Sequence, residues 1–453
     1  MKNSITILLL LFAVTVSTAQ MRKWTLQECV EYAVEHNLTI EQFELDLENA
    51  KIDKSDAEGA FIPSLSANAT VSERSGLVVD PNSNSNVAGK IFSFSPGISS
   101  NITLFDGMRN VHRLNRAKLN AISNQYRLDN LKDDIKLNVA NAYLQVLSSK
   151  EQLKTFKAQY AVTEQDLKKT RELVESGVLP RGDLLEIEAT AANQEQQIVN
   201  GEGNVLIARV GLAQLLQITD YENFDIAEEE FAIPPSDILK NSAKVIFDKA
   251  LIFRNDIKLS ESNVELAKKD VQIAKGAYSP TIGAFFDYNT FYSNQYQLLL
   301  DPVSNLPFLF RSDFKDQLWQ NDGISYGFQL NVPIFNGWST RNNVKRSKIT
   351  LEKAKLQFEQ DKLDLENTIQ QAYVDVSTFE KAYEAALKTL EARTLAYDYA
   401  KERYDNGLMN AFDFGQAQAR VDNAKADVIR TKYDYIFRLK ILEFYFGLPI
   451  ALN

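Results

Sequence analysis

A single cysteine, Cys29, gives this 453-residue chain no means of closing an internal disulfide, and two histidines, His36 and His112, are poor material for a zinc or haem site. Gly201-Glu202-Gly203 lacks the third glycine and the preceding strand of a dinucleotide loop, and no phosphate-binding lysine motif occurs. Neither histidine has the Ser and Asp grouping that a hydrolase requires. No residue is therefore assigned a catalytic, cofactor-binding or metal-ligating role. Basic residues are outnumbered, 50 to 60, and a formal charge of -10 argues against nucleic acid as a partner. Beyond the amino terminus no window of 18 consecutive apolar residues occurs, so no helix is expected to cross a bilayer.

The amino terminus sets the compartment. Met1-Lys2-Asn3-Ser4 is a short positive start, followed by an apolar run from Ile5 to Val16 and the small-residue ending Ser17-Thr18-Ala19. This pattern reads as a secretory signal, residues 1–19, cut after Ala19. Cys29, ten residues further on in a helical pattern, is not placed for lipid attachment and reads as a small buried side chain.

What the chain does have is an internal duplication. Ala57-Glu58-Gly59-Ala60-Phe61-Ile62-Pro63-Ser64-Leu65 recurs 217 residues later as Ala274-Lys275-Gly276-Ala277-Tyr278-Ser279-Pro280-Thr281-Ile282. Leu104-Phe105-Asp106-Gly107 recurs as Ile334-Phe335-Asn336-Gly337, and Ser176-Gly177-Val178-Leu179 as Asn406-Gly407-Leu408-Met409, both 230 residues later. The change of offset places a 13-residue insertion between Ile282 and Ile334, in a surface loop. Copy 1 covers 20–218 and copy 2 covers 238–453, each expected to be one structural unit, with 219–237 as the linker around Ile233-Pro234-Pro235.

Two periodicities alternate within each copy. No proline or glycine occurs from Met108 to Glu175, and Val139, Val146, Leu153, Tyr160, Leu167 and Val174 recur every seven residues, with Ile135, Ala142 and Phe156 on a companion seam. A helix of that span is about 100 Å long. Ile369, Val376, Tyr383, Leu390, Tyr397 and Tyr404 repeat the seam in copy 2. Each long helix stops at Gly177 or Gly407, and a second helix returns, so 108–218 and 338–447 are predicted antiparallel helical hairpins. Period two marks the strands. Phe94, Pro96, Ile98 and Ile102 alternate with Ser95, Gly97, Ser99 and Thr103, and Tyr326, Phe328, Leu330, Val332 and Ile334 with small or polar residues. Partner strands are expected from Leu65 to about Ser72 and from Ile282 to about Tyr292, giving one β-hairpin per copy, about 64–105 and 281–335, with turn-rich loops at Asp80-Pro81-Asn82-Ser83-Asn84 and Asp301-Pro302. The apolar face suits lipid, with Phe285, Phe286, Tyr288, Phe291, Tyr292 and Phe328 as an interfacial girdle; a soluble sheet with one buried face shares the same period. If the face meets lipid, four strands cannot close a barrel, for which about eight is the bacterial minimum. Several chains must then pool their strands.

In the order of these repeats the chain resembles the TolC-like outer membrane efflux proteins. The resemblance rests on the duplicated Gly-Ala-Phe/Tyr-x-Pro helix-to-strand junction, the duplicated Phe-Asp/Asn-Gly turn and the heptad-bearing hairpins ending in Gly-Val/Leu. It implies an α+β membrane channel-tunnel in the outer membrane with a large periplasmic part. Three chains would contribute four strands each to a twelve-stranded transmembrane β-barrel, and their long antiparallel coiled-coil helices would form a periplasmic α-barrel. The implied partners are two further copies in a homotrimer, a periplasmic adaptor protein, an inner-membrane efflux transporter and outer membrane lipid.

Pro63 and Pro280 mark the switch from helix to strand, and Gly107 and Gly337 the turn from strand back to helix, where positive φ is expected. The resemblance makes the hairpin tips, Gly177, Val178, Leu179, Gly407, Leu408 and Met409, the surface that meets the adaptor. It places a periplasmic gate at Asp413 as a ring acid, Tyr404 with Asp183 as a link, and Glu186 as an alternative charge. Met409 and Gln416 depart from the family pattern, standing where a link-forming arginine and a second ring acid are expected. Asp183 and Asp413 are equally readable as helix N-caps. The competing functional reading is a structural periplasmic or surface coiled-coil protein or adhesin, with the hairpins as spacers.

Overall fold

The computed structural model describes residues 23–79, 84, 86–227, 233, 236–304 and 306–448. The expected secretory signal 1–19, most of the loop that begins at Asp80, and Pro234 and Pro235 of the expected linker lie outside them. Copy 1 runs β1 (Lys23–Trp24), α1 (Leu26–His36), α2 (Leu38–Gly59), β2 (Ser64–Val79), β3 (Asn86–Phe105), α3 (Arg109–Glu175) and α4 (Arg181–Leu215). After β4 (Asp225–Ile226) and a short 3-10 turn, copy 2 runs α5 (Ala243–Phe253), α6 (Asn255–Gly276), β5 (Thr281–Asn289), β6 (Tyr292–Ser293), β7 (Gln297–Leu300), β8 (Pro307–Phe310), α7 (Phe314–Gln320), β9 (Gly323–Asn331), α8 (Ser339–Asp405) and α9 (Ala411–Tyr445). Among the described residues no helix is long and apolar enough to cross a membrane.

Two compact units emerge, and neither is one copy of the repeat. One comprises Met1–Leu45, Gln125–Leu259 and Glu359–Asn453; the other comprises Asp46–Asn124 and Ser260–Phe358. Each draws on both copies. The physical reason is lateral packing: an amphipathic helix or a two-stranded hairpin cannot bury its own apolar face, so the copies pair element by element.

In the first unit only the start of the predicted seam enters the core; Leu153, Tyr160, Leu167 and Val174 are half-buried. Val139 and Val146 of α3, Leu212 of α4 and Ile436 of α9 are essentially inaccessible and cluster with Cys29 of α1 and Ile226 of β4. Tyr143, also fully buried, donates from its hydroxyl to the carbonyls of Trp24 and Ala227, both at 3.3 Å, tying α3 to the parallel β1–β4 pair. Thr25 and Glu28 form a reciprocal capping box at the start of α1.

In the second unit the four main strands lie in the order β2-β3-β5-β9, all antiparallel, with β6 also paired to β3. The hairpin register is duplicated: Asn68 faces Gly97 in copy 1, and Phe285 faces Gly327 in copy 2. Apolar residues share one face but are not covered: Leu65 is 76% exposed, Tyr326 80% and Phe328 78%. A soluble sheet would bury that face. Edge strands β2 and β9 are exposed almost throughout.

Several strand expectations are revised. β2 continues past Ser72 to Val79, held by cross-strand pairs such as Glu73 with Phe92 and Val79 with Asn86. The strand expected to reach Tyr292 stops at Asn289, and Val332 and Ile334 lie beyond the end of β9 at Asn331. The inserted loop is structured, with β7 paired to β8 and Gln317 of α7 hydrogen-bonded to the backbone of Ser293. Phe285 alternates away from Phe286 and Tyr288, so it leaves the aromatic set on the apolar face and covers Gly327 on the polar one.

Candidate functional site

Both hairpin tips have the same backbone. At the end of α3 the Val178 N–H donates to the Leu173 carbonyl at 2.8 Å and the Gly177 N–H to Val174 at 3.0 Å; at the end of α8, Leu408 donates to Arg403 at 2.8 Å and Gly407 to Tyr404 at 3.0 Å. This is the Schellman ending, in which a left-handed residue lets the chain recover carbonyls that the helix leaves unpaired. Gly177 and Gly407 supply it with φ of 75° and 72°. The turn then presents Val178 and Leu408 to solvent, 67% and 70% exposed, while Leu179 and Met409 are half-buried.

The returning helices start differently. Asn410 caps α9: its side-chain oxygen accepts the Asp413 N–H at 2.8 Å, and its amide donates to the Asp413 carboxylate at 3.0 Å. Pro180 precedes α4 with no side-chain cap, and the Asp183 N–H donates to the Pro180 carbonyl at 3.1 Å. Neither Asp183 nor Asp413 is therefore an N-cap; both lie in the first turn, where the helix dipole favours an anion. The carboxylates of Asp183 and Glu186 have no hydrogen bond or ion pair among the described residues, and Gln416 accepts from Arg420 at 3.4 Å.

Tyr404 is engaged within its own chain. Its ring stacks on Phe414 at 4.7 Å and 5°, and its hydroxyl shares a 3.3 Å hydrogen bond with buried Thr170. No hydrogen bond joins it to Asp183, but burial raises the Tyr404 hydroxyl pKa, the Thr170 bond opposes that, and the Asp183 charge adds to the rise. Val178, Leu179, Tyr404 and Gly407 line one cleft of about 310 Å³ with Asp166, Lys169 and Asp405; Asp183, Glu186, Asp413, Leu408 and Met409 do not.

Beside the cleft, polar residues join the copies. Lys169 pairs with Asp405 at 2.7 Å, Gln418 donates to Thr163 at 2.7 Å, and Gln194 donates to Asp422 at 3.2 Å. Burial pushes the Asp422 carboxyl up to about 6 against the opposing effects of Lys425 and Gln194, and it also raises Asp166, one of whose oxygens is buried without a partner. Sequence reasoning missed this layer. A signal existed: the companion seam through Ile135, Ala142 and Phe156 continues at the same spacing as Thr163 and Thr170, so it turns polar where the copies meet.

The helix-strand junctions match as well. Pro63 and Pro280 stand in the four-residue gaps between Gly59 and Ser64 and between Gly276 and Thr281. Gly107 and Gly337 have φ of 72° and 61°, and the next residues, Met108 and Trp338, are also left-handed at 64° and 65°. Asp106 and Asn336 complete the turn: the Asp106 carboxylate accepts the Asn110 N–H at 3.0 Å, and the Asn336 side-chain oxygen accepts the Thr340 N–H at 3.5 Å.

Two long helical hairpins, one per copy, and a four-stranded antiparallel sheet with an exposed apolar face are the elements of a membrane channel-tunnel fold. The CmeC outer membrane channel of Campylobacter jejuni is similar with a TM-score of 0.80 at 18% identity, covering 93% of this chain and 85% of its own. The outer membrane protein VceC of Vibrio cholerae gives 0.77 at 16%, covering 94% and 97%, and the MtrE outer membrane channel of Neisseria gonorrhoeae in its open state 0.68 at 18%, covering 94% and 90%. No curated relative matches the chain. The chain belongs to the outer membrane efflux protein family, whose model matches residues 30–216 and 246–447.

Proposed function

We propose that this chain is the outer membrane channel-tunnel of a tripartite efflux or export system, passively conducting substrate outward from an inner-membrane transporter and a periplasmic adaptor protein. It performs no enzymatic step. Three copies pool their strands into a twelve-stranded barrel and their hairpins into a tunnel. The observation that carries this reading is the sheet: β2 and β9 end it on both sides with unpaired edges, and its apolar face is exposed. Unpaired backbone groups cannot stand in lipid, so the edges must meet those of other chains. At the tips, Gly177, Val178, Leu179, Gly407, Leu408 and Met409 offer the adaptor two matching turns, each with an exposed aliphatic residue. Asp183, Glu186, Tyr404 and Asp413 form the gate.

Purified protein added to planar lipid bilayers is expected to give stepwise ion conductance and to run as a heat-modifiable trimer on gels. A coiled-coil spacer or adhesin would give neither. A trivalent cation added from the periplasmic side is expected to block the current through Asp413.

A further inference from the structure

The chain is acidic overall, yet both long helices begin basic where they leave the sheet. Arg109, Arg113, Arg116 and Lys118 fall in the first ten residues of α3, and Arg341, Lys345, Arg346 and Lys348 in the first ten of α8, with no carboxylate among them. Cations at a helix start oppose its dipole, so these charges do not stabilise the helices that carry them. In copy 1 the chain supplies counter-charges: Asp106 lies 3.7 Å from Arg109 and 3.8 Å from Arg113, and Asp270 of α6 pairs with Arg116 at 2.6 Å. In copy 2 the counterpart of Asp106 is Asn336, and Arg341, Lys345, Arg346 and Lys348 have no carboxylate partner among the described residues.

Two adjoining clefts in the sheet unit gather these cations. One, of about 420 Å³, is lined by Arg109 and Arg113 of α3, Asp270 of α6 and Arg346 of α8. Three arginines thus share it with one carboxylate, and that carboxylate is already paired with Arg116. Arg346 donates to the Asn343 side chain at 2.8 Å and to no acid. The other cleft, of about 190 Å³, is lined by Tyr278, Ile334, Phe335, Trp338 and Arg341. Ala277 and Thr340 line both.

The second cleft is aromatic and open. Phe335 meets Trp338 edge to face at 5.8 Å and 85°, and the Arg341 guanidinium lies 5.0 Å from the Trp338 ring. Ile334, Phe335 and Trp338 are 94%, 73% and 57% exposed, so the uncovered apolar side chains of β9 carry on past its end at Asn331. An indole beside arginines at the foot of an apolar sheet matches the interfacial zone of a bilayer, where aromatic rings sit at headgroup depth and cations meet phosphates. Copy 1 has no equivalent: the counterparts of Tyr278, Trp338 and Arg341 are Phe61, Met108 and Val111.

We propose that the two clefts together hold one anionic phospholipid per chain, its phosphodiester on Arg113, Arg341 and Arg346 and its glycerol and upper acyl chains against Ile334, Phe335 and Trp338. Guanidinium forks match phosphate oxygens in two-point contacts, which suits a headgroup better than a lysine-lined surface would. A free phosphate would satisfy the arginines but leave the aromatic cleft uncovered. A zwitterionic lipid would cover the cleft but bring an ammonium towards the guanidiniums. The site rests on the reading above that the apolar face meets lipid, and adds the charge of the lipid and its place.

The test titrates full-length protein in an uncharged detergent, by calorimetry, with dioctanoyl phosphatidylglycerol, dioctanoyl phosphatidylcholine and inorganic phosphate. Phosphatidylglycerol is expected to bind once per chain, about tenfold tighter than either of the others, and to weaken as salt is raised. Arg341→Ala combined with Arg346→Ala is expected to lower its affinity about tenfold while leaving phosphatidylcholine binding and the melting temperature unchanged. Arg341→Lys combined with Arg346→Lys, which keeps the charge and loses the forks, should fall between. Equal binding of the two lipids by the unaltered protein, or a folded alanine variant that binds phosphatidylglycerol as before, overturns the site. Phosphate bound as tightly as phosphatidylglycerol assigns the arginines to a free anion and overturns the lipid. Protein that conducts in planar bilayers yet shows no preference for phosphatidylglycerol loses the headgroup site alone, whereas absence of conductance removes the channel reading.

Discussion

The helical halves of the two copies agree in length to the residue, whereas the strand hairpins have drifted apart. α3 and α8 both have 67 residues, and α4 and α9 both have 35. In contrast β2 and β3 have 16 and 20 residues, against 9 each in β5 and β9. A helix in a heptad-packed bundle is indexed along its whole length. One added residue turns everything beyond it by about 100°, from the seam to solvent. A hairpin can lengthen or sprout further structure past its paired core, and copy 2 does so with β7, β8 and α7.

The sharpest way to break that comparison is to swap the tolerances. One alanine inserted after Asn141 of α3 is expected to rotate Tyr143, Val146 and Leu147 out of register with their partners and cost more than about 4 kcal/mol, read as lost trimer and a collapsed melting temperature. Removing Gln297 to Phe310 and joining Tyr296 to Arg311 is expected to leave melting nearly unchanged, because Gln297 and Phe310 are already paired neighbours. Equal damage from both changes would end the distinction.

A smaller effect separates the copies at a single position. Asp422, with its carboxyl pushed up to about 6, stands where copy 1 has Ala192. An unfolded aspartate titrates near 4, about two units lower, so the folded state binds the proton more tightly and stability falls as pH rises from about 4 to about 6. Lowering the pH from 7 to 5 is expected to favour the native protein relative to Asp422→Asn, and the variant is expected to melt higher at pH 7. Parallel melting profiles over that range would remove Asp422 as the cause.

The smallest expected change is at the tips, where the backbones match and the side chains do not. Replacing both Asp183 and Tyr404 with Ala is expected to raise single-channel conductance. Tyr404→Phe, which keeps the Phe414 stack and loses only the Thr170 hydrogen bond, should raise it less. Unchanged conductance in the double variant would remove both residues from the gate.

Periodicity made the regular parts of the chain legible. Heptads with no glycine or proline over Met108 to Glu175 left only a helix possible, and the repeated Gly177 and Gly407 marked its ends. The tip layer was hidden because Thr163, Thr170 and Gln418 look like solvated residues until their distant partners are known. The end of β2 was unreadable because Glu73, Arg74 and Ser75 carry no apolar alternation; they are held by backbone pairing with β3. The first-turn position of Asp413 depended on Asn410, three residues earlier, taking the cap. The division into units escaped the sequence because lateral pairing between copies is a long-range fact that no local window contains.

The raw margins of β2 and β9 carry a liability during biogenesis. On the proposed multi-chain reading, a newly exported chain would display two templates for indiscriminate strand addition until it met its companions, with oily side chains alongside. An escort that covered those margins during transit would suppress such addition, and synthesis outrunning it is expected to yield stacked, protease-resistant debris rather than idle soluble protomers.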